Sequence, residues 1–568
     1  MSKRRRTTPA TRDAAATPAH RVDRRRFLQW AGMAGVGLGA SMLFSAGCQT
    51  VQPQPSSAAP SAGGELGPGP AAIKRGGTLV IGADGDVPGI VASRSTGSPE
   101  KRIIYAIFEG LAAPDPKSLE PVPALAESWE LSPDASVYTF HLRRGVKFHD
   151  GTPFDAEAAK FVFDISFDPS HPYYDQVGAG VAKARFGTLE KVEALDPYTL
   201  RVTHSEPRSD FLLQLSDPPA FFTSPTVIKQ FGMNEIGNHP VGTGPFRFVE
   251  WERGSKIVLE RNQSYWGDGP YLDGLIVRPI PEGNARLTAL KSGEVDFIQD
   301  VPTDSIPLLQ ADPDYEVAVG TVGAGLWAFT FNMQEKPFDD KRVRQALNYA
   351  INREALVRDL LKGAGTVATQ NMPPGRPEYD PATIKGYSYD PARARQLLAE
   401  AGYPNGFRTV WQRPNSVLGP TVLAEFIQSN LKDVGVDVEF QNFEAGAYQV
   451  MARSPIPAGV GAFNFRVTAD PLNFERRYSA KAVPPAGYNF GVYVNPRVDE
   501  LFAKVRSSPD PKERSALYKT IDQLVVDDAP VLYVYHHGYT VAYSKRVKDY
   551  LPVGAASIAF FKTVWINQ

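Results

Sequence analysis

From Val137 to Arg143 the chain alternates, with Tyr138, Phe140 and Leu142 on one face and Val137, Thr139, His141 and Arg143 on the other. Period two predicts a half-buried strand. Arg144-Gly145 reads as a turn, and Val146 and Phe148 as the start of a second alternating strand, so a hairpin is expected. Asp150-Gly151 turns again. Asp155 then stands at a helix N-cap position, with Ala158, Phe161, Val162 and Ile165 at helical spacing behind it. Upstream, Thr78 to Gly82 is a short apolar run between glycines, a buried strand, and Arg102 to Leu111 reads as a helix. Downstream, Pro240 to Phe248 is a Gly/Pro turn feeding a strand. Asn284 to Lys291 is helical, Gly293 stops it, and Val295 to Ile298 is a strand.

From about Val322 helix and strand alternate. Leu326 to Asn332 is a strand. Asp339 or Asp340 caps a helix that turns Val343, Ala346, Leu347, Ala350 and Ile351 inward. Asn352 caps the next, which ends at Gly363. Asp390-Pro391 opens another, and Gly402 closes it. A helix from about Thr421 to Val434 leads into the alternating strand Val436-Val438-Phe440. A last helix, Lys512 to Val526, precedes the apolar strand Val531 to Tyr535. Repeated helix-strand units predict an α/β lobe.

The length, 568 residues, makes two or three packed units the expectation. Charge divides the chain unevenly. Residues 1–47 hold nine Lys/Arg and two Asp/Glu, leaving 52 basic and 60 acidic residues in the remainder. A mildly acidic body argues against nucleic acid as a partner. The single cysteine, Cys48, excludes an internal disulfide and a cysteine-based zinc cluster.

The basic start is an address. Arg24-Arg25-Arg26-Phe27-Leu28 precedes a weakly apolar, Gly/Ala-rich run from Trp30 to Ala46, the plan of a signal peptide. Arg24, Arg25, Phe27 and Leu28 resemble the twin-arginine export motif. Leu43 to Cys48 resembles a lipoprotein cleavage box, with Ser45 departing from the usual Leu-like residue. That resemblance makes Cys48 the lipid anchor on the outer side of the cell membrane. Gln49 to Ala72 is rich in Pro, Ser, Ala and Gly, and reads as a flexible tether.

Several stretches carry a wider resemblance. They are Ser128-Trp129, Tyr138-Thr139-Phe140, Leu142-Arg143, Gly145 to Gly151, and Pro153-Phe154. Phe108-Glu109-Gly110-Leu111, Pro240 to Phe248 and Arg261 to Trp266 add to them. Together they resemble the peptide/nickel class of ABC-transporter solute-binding proteins, family 5, over residues 76–568. The resemblance implies an α/β, two-lobed periplasmic-binding-protein fold, class II-like and of cluster C, with an extra subdomain in the first lobe. The boundaries expected are an export signal at 1–47, the anchor and linker at 48–75, and lobe I at 76–115 and 239–325. The extra subdomain takes 116–238, lobe II takes 326–535, and 536–568 return to lobe I. It also implies a monomer that captures a peptide-like or related organic solute and hands it to the transmembrane subunits of an ABC permease.

In the dipeptide-binding members an Arg in a Gln-Arg-Pro context anchors the ligand carboxylate. Gln412-Arg413-Pro414 matches, so Arg413 is the anion anchor that the resemblance implies. Those members place an Asp for the ligand amine three residues before an acidic-Pro pair. Here the pair is Asp470-Pro471, and Val467 occupies the amine position. Either Asp470 replaces it or the ligand lacks a free α-amine. Trp327, Trp411, Phe465, Tyr488 and Asn489 fall where the family has cleft residues.

Catalytic patterns are thin. The sequence has no Gly-x-Ser-x-Gly elbow and no His-Glu-x-x-His. His536 and His537 are neighbours near a strand end, so they point to opposite faces and do not chelate one ion together. Gly363 to Ala368 fits Gly-x-Gly-x-x-Ala but follows a helix, and reads as a helix stop and loop. His149-Asp150 reads as a turn. No catalytic residue, metal or cofactor is expected. The alternatives are an exported hydrolase, or a chaperone or sensor, on the same scaffold.

Overall fold

The computed structural model describes residues 73–95, 98–414, 421–444, 447, 454–468, 471–553 and 560–567. The export motif, Cys48, the tether and Asp470 lie outside the described residues.

Two strands organise the molecule. Tyr315–Phe331 and Val531–Ser544 pair antiparallel along most of their lengths. At one end they continue through Phe297–Gln299 into Thr78–Ala83, Gly274–Pro279, Lys256–Arg261 and Phe246–Glu252. At the other they continue through Ala462–Thr468 into Phe407–Pro414 and Val436–Phe443. Each half of this sheet is wrapped on both faces. In the second half Trp327, Phe329, Phe331, Leu532 and Val534 enter one core, and Leu326, Ala328, Val531 and Tyr533 enter the other. That alternation is what a strand buried on both sides requires. The first half has the same plan, with Tyr539, Val541 and Tyr543 in one core and Val317 and Ala542 in the other.

Both central strands run further than their apolar patterns predict. Glycines interrupt those patterns, and the ladder slips between Gly320 and Gly325. Gly323 adopts φ +75° there, a left-handed backbone that disfavours other residues.

The hairpin expected at Val137–Phe148 is built differently. Val137–Leu142 pairs with Ala126–Leu131 on one side and Thr199–His204 on the other. Val146 and Phe148 instead fold back on the next few residues. Phe148 N donates to Thr152 O at 2.9 Å, and Phe154 N to Val146 O at 3.0 Å. The Asp150-Gly151 turn closes that short loop before a longer strand can form. With Leu189–Asp196, the three longer strands make a separate four-stranded sheet. Tyr138, Phe140 and Leu142 are buried on its inner face, as the alternation predicts. Asp155 caps the helix Ala156–Phe167 by accepting from Ala158 N.

Four of the stretches that carry the family resemblance meet in one knot. The expected helix at Arg102–Leu111 runs from Ser98 to Ile107. It ends where Glu109 turns inward. Its carboxylate accepts from Thr243 Oγ1 at 2.9 Å, Tyr265 OH at 2.7 Å and Trp266 Nε1 at 2.8 Å. A Cβ on Gly242 or Gly244 would sit 2.2 or 2.7 Å from Ile107 O, so both positions need glycine for the chains to approach. His149 completes the knot: its N–H donates to Gly242 O, and its Nε2 lies 2.9 Å from Gly244 O. The turn reading of His149-Asp150 therefore describes a scaffold contact. Asp150 accepts from Ser224 Oγ at 2.5 Å.

The remaining helices follow their signals. Asp340, Asn352 and Asp390 each accept from the first turn of the helix they open. Arg353, wholly buried, donates to Tyr533 O at 2.8 Å and Tyr387 O at 3.1 Å. It thereby ties the loop before Asp390 to the central strand. Burial pulls its guanidinium down to about 10. Gly365–Val367 adds a short strand beside Val531–Ser544 where a loop was expected. The latter strand passes straight through 535/536, the position at which the sequence puts a change of lobe.

His204 and His536 are buried and His149 half-buried, and none of the three forms a salt bridge among the described residues. Burial pulls His149 and His204 down to about 4 and His536 to about 3. Each is neutral when folded, while an unfolded imidazole takes a proton below roughly 6.5. Their stability contribution is therefore complete above pH 6.5 and lost as pH falls toward the folded values. At pH 5 each should cost about 2 kcal/mol. Denaturant unfolding at pH 7 and pH 5 should show that loss, and His149→Gln should recover about 2 kcal/mol of the difference.

Candidate functional site

A cavity of about 760 Å³ lies where the four-stranded subdomain, the first half of the main sheet and the second half face one another. The helix Ser98–Ile107 contributes Lys101 and Tyr105. The subdomain contributes Lys183, Arg185, Glu206, Arg208, Asp210 and Asp217. The opposite wall carries Arg376, Glu475, Arg476, Ser479, Lys481 and Arg506, and Gly323 joins the lining at the slip in the central strands. Ligand cavities of this size usually lie between domains.

Charge is the cavity's main chemical feature. Eight Lys/Arg side chains line it against four Asp/Glu. Five of the cations are already paired. Lys101 Nζ lies 2.8 Å from Asp217, and Arg185 holds the same carboxylate. Burial alone would raise Asp217, but Arg185 and Lys101 hold it below the usual carboxylate range. Arg208 clasps Asp210 at 2.8 Å, and Gln214 Nε2 donates to it at 2.7 Å. Arg506 pairs with Glu475. Arg376 reaches Glu120 at 2.9 Å and donates to Ser118 O at 2.9 Å.

Arg476, Lys183 and Lys481 have no carboxylate partner among the described residues. Arg476 lies over the Tyr488 ring at 4.7 Å, and Tyr488 N donates to Arg476 O at 2.6 Å. That stacking orients the guanidinium without neutralising it.

Among the described residues, Ser209 and Arg376 bridge the walls directly. Ser209, in the subdomain, donates its hydroxyl to Val505 O at 2.6 Å and its amide to Arg506 O at 3.1 Å. Those carbonyls belong to the last turn of the helix Pro496–Ser507, so one wall satisfies the open end of a helix in the other. Arg376 is the second bridge.

The residues expected from the sequence divide among several places. Trp327 and Trp411 are buried in the second-half core, with Trp411 4.9 Å from Phe329, and neither lines the cavity. Of Phe465 the backbone is described, paired with Ala328. Arg413 is buried on Phe407–Pro414, with its guanidinium 5.9 Å from the Phe440 ring. Burial pulls that guanidinium down, and Glu425 partly restores it. Arg413 stands one residue from the end of a strand that runs parallel to Val436–Phe443 and Ala462–Thr468. Such carboxyl ends are where open α/β sheets hold ligands. Tyr488 supports Arg476, as above.

Asn489 works as a clamp. Its Nδ2 donates to Ser479 O at 3.1 Å and Tyr493 O at 2.8 Å, and its Oδ1 accepts from Tyr493 N at 2.8 Å. It fixes the loop that presents Ser479 and Lys481 to the cavity. His536 is buried and His537 half-buried, on opposite faces of their strand. Among the described residues no group of His, Cys, Asp and Glu is arranged to hold a metal ion. No helix among them is long and apolar enough to cross a membrane.

Comparison with known proteins agrees with this architecture. Residues 120–482 match the model for bacterial extracellular solute-binding proteins, family 5. The chain belongs to that family. A curated relative, the glutathione-binding protein GsiB of Pectobacterium atrosepticum, is 34% identical over 466 residues, 80% of this chain and 87% of its own. A solved family member, the periplasmic binding protein DppA from Helicobacter pylori in complex with the peptide STSA, superposes with a TM-score of 0.71 at 30% identity. The match covers 87% of this chain and 99% of that one. HbpA2 from Haemophilus parasuis gives a TM-score of 0.78 at 26% identity, over 87% of this chain and 100% of that one. Family 5 proteins are extracytoplasmic, and these relatives are binding proteins. The α/β, two-lobed fold expected from the sequence is the fold of these neighbours.

The cavity cations were not singled out by sequence. Arg476 and Lys481 are isolated charges in helix and loop, and only their nearness to the Asp470-Pro471 pair could have drawn attention to them. Asn489→Leu should remove three buried hydrogen bonds and lower stability by about 2 kcal/mol. The measurement is denaturant unfolding, with Tyr488→Leu as the comparison that leaves those bonds in place.

Proposed function

We propose that the protein is the solute-binding component of an ABC importer and that it holds a small anionic peptide in the cavity between its walls. The observation that carries this reading is the set of three cations, Arg476, Lys183 and Lys481, that face the cavity without a carboxylate partner. A ligand with two carboxylates would give two of these three cations a partner. The cavity has room for a tripeptide, and glutathione, which the GsiB relatives are named for binding, is a tripeptide with two carboxylates and one ammonium. Dipeptide and tetrapeptide complexes of solved neighbours support the same class of ligand.

The rest of the reading follows the family. The protein works outside the cytoplasm, exported by the segment around Arg24, Arg25, Phe27 and Leu28 and tethered through lipid on Cys48. The tether leaves a monomeric body free to meet the transmembrane permease subunits. Arg476 and Lys481 take the anion-anchoring role that the resemblance gives to Arg413.

Thermal melting of the purified protein with glutathione, Met-Leu, an oligosaccharide and a nickel chelate tests the reading. A ligand at about 100 times its dissociation constant stabilises by about 2.7 kcal/mol. The peptides should shift the melt and the other two should not. Arg476→Ala should abolish the shift while Arg413→Ala keeps it. The reverse pattern would return the carboxylate to Arg413, and a shift with sugar or chelate alone would end the peptide reading.

A further inference from the structure

A loop beside the cavity is held in an unfavourable shape. Ala112–Pro114 and Pro121–Pro123 pair antiparallel, and residues 115–120 join them. Within that loop Leu119 has φ +59°, a left-handed backbone that a bulky side chain rarely adopts. Glycine or asparagine would take the same turn with less strain. Leu119 is nonetheless buried there and lines the cavity. Strain of this kind persists where the surroundings over-determine it, and it gathers at sites that meet ligands.

Bonds on every side fix the loop. Leu119 N donates to Asp115 O at 2.8 Å, and Asp115 N donates to Glu120 O at 2.8 Å. The Asp115 carboxylate accepts from Lys117 N and Ser118 N, both at 2.9 Å. The residues flanking Leu119 offer Ser118 O and the Glu120 carboxylate to the buried Arg376 of the opposite wall. Leu119 also has apolar company. Pro114 and Leu213 line the cavity, and Leu213 belongs to Phe211–Leu215, a helix packed against both strands of the hairpin. Tyr105 lines it too. Its hydroxyl donates to Ser216 O at 3.1 Å, so the ring is left as apolar surface.

We propose that Leu119 is a specificity-determining residue: with Tyr105, Pro114 and Leu213 it makes an apolar strip that receives an uncharged substituent of the bound peptide, so that the protein prefers anionic peptides carrying an apolar group. The proposal rests on the peptide reading of the cavity and narrows which anionic peptides fit it. Arg476, Lys183 and Lys481 attract any small anion, and charge alone makes no use of the strip. Water against these side chains is released to advantage only by an apolar group. The cavity's volume of about 760 Å³ stands toward the upper end of the roughly 300–1,000 Å³ usual for small ligands, so an apolar substituent fits beside a tripeptide.

Isothermal titration of the full protein with glutathione and S-hexylglutathione tests this, because the two ligands share every charge and differ by one apolar chain. S-hexylglutathione should bind about tenfold more tightly, which is what burying roughly two of its methylene groups supplies. Leu119→Asn and Leu119→Gly both suit a left-handed backbone, so the loop keeps its shape. Each should bring the two ligands to within about threefold of one another and leave glutathione bound as before. A merely structural role for Leu119 would weaken both ligands together. That result, equal binding of the two ligands by the unaltered protein, or a preference that survives in either variant would overturn the proposal and leave the peptide reading in place. If the unaltered protein binds neither ligand the proposal falls too, and Met-Leu as a third ligand decides whether the peptide reading falls with it.

Discussion

Tyr315–Phe331 and Val531–Ser544 belong to both halves of the main sheet, and the site depends on that sharing. Hydrogen-bonded strands buried on both faces resist bending along most of their length. The ladder slips at Gly320 to Gly325 and again between Trp327 and Ala328. At the first slip Gly323 takes a left-handed backbone. A Cβ at Gly538, on the partner strand, would come within 2.5 Å of Val319. Gly323 also lines the cavity, so this slip lies at the floor of the site. Ser209 and Arg376 close the outer side by bonds to the opposite wall. Opening the cavity would take the Ser209 bonds from the carbonyls of Val505 and Arg506, leaving Val505 O the amide of Ser508 at 3.3 Å.

The family signature describes the scaffold more than the ligand. Glu109, Thr243, Tyr265, Trp266 and His149 meet far along the chain from one another, and each meets another's hydrogen-bonding need. Burying a carboxylate is costly unless it accepts several bonds, and Glu109 accepts three. Burial still raises it above its usual range. Removing one donor would leave a buried acceptor short, which is why the stretches work as a set. The knot fixes the subdomain on the first half of the sheet, and so fixes where Arg185, Arg208 and Asp217 stand. Residues that read the ligand can then vary without disturbing the frame that presents them.

Local signals carried most of the elements and little of the site. Asp155, Asp340, Asn352 and Asp390 were legible as caps because each bonds to the helix that follows it. Tyr138, Phe140 and Leu142 were legible because a strand repeats every two residues. The pairing of Val137–Leu142 was not, since its partners Ala126–Leu131 and Thr199–His204 are chosen by tertiary contact while the near partner is only the next apolar run. The central strands were read short because glycine at the slip breaks the apolar pattern. Trp327 and Trp411 stood out as large aromatics, and size is what places them in the second-half core. Arg476, Lys481 and Glu475 have no periodic or motif context, and their meaning comes from facing Arg208 and Asp210 across more than 200 residues of chain. The export motif and Cys48 lie outside the described residues, so for them the sequence remains the whole of the argument.

The cavity's cations serve two different ends. Lys101, Arg185, Arg208, Arg376 and Arg506 are held by Asp217, Asp210, Glu120 and Glu475, and these pairs fix side chains that would otherwise have many rotamers. They make the wall rigid and add little net field. Arg476, Lys183 and Lys481 are not neutralised, and they give the cavity its excess of positive charge. Closing the walls over them without a counter-charge would strip water from cations and gain nothing in return. An anion between the walls reverses that sign, because the loss of water then strengthens each pairing. On the proposed reading, charge on the wall would couple capture to closure: the arrangement with Ser209 capping the helix of the opposite wall would be favoured with an anion beside these three side chains.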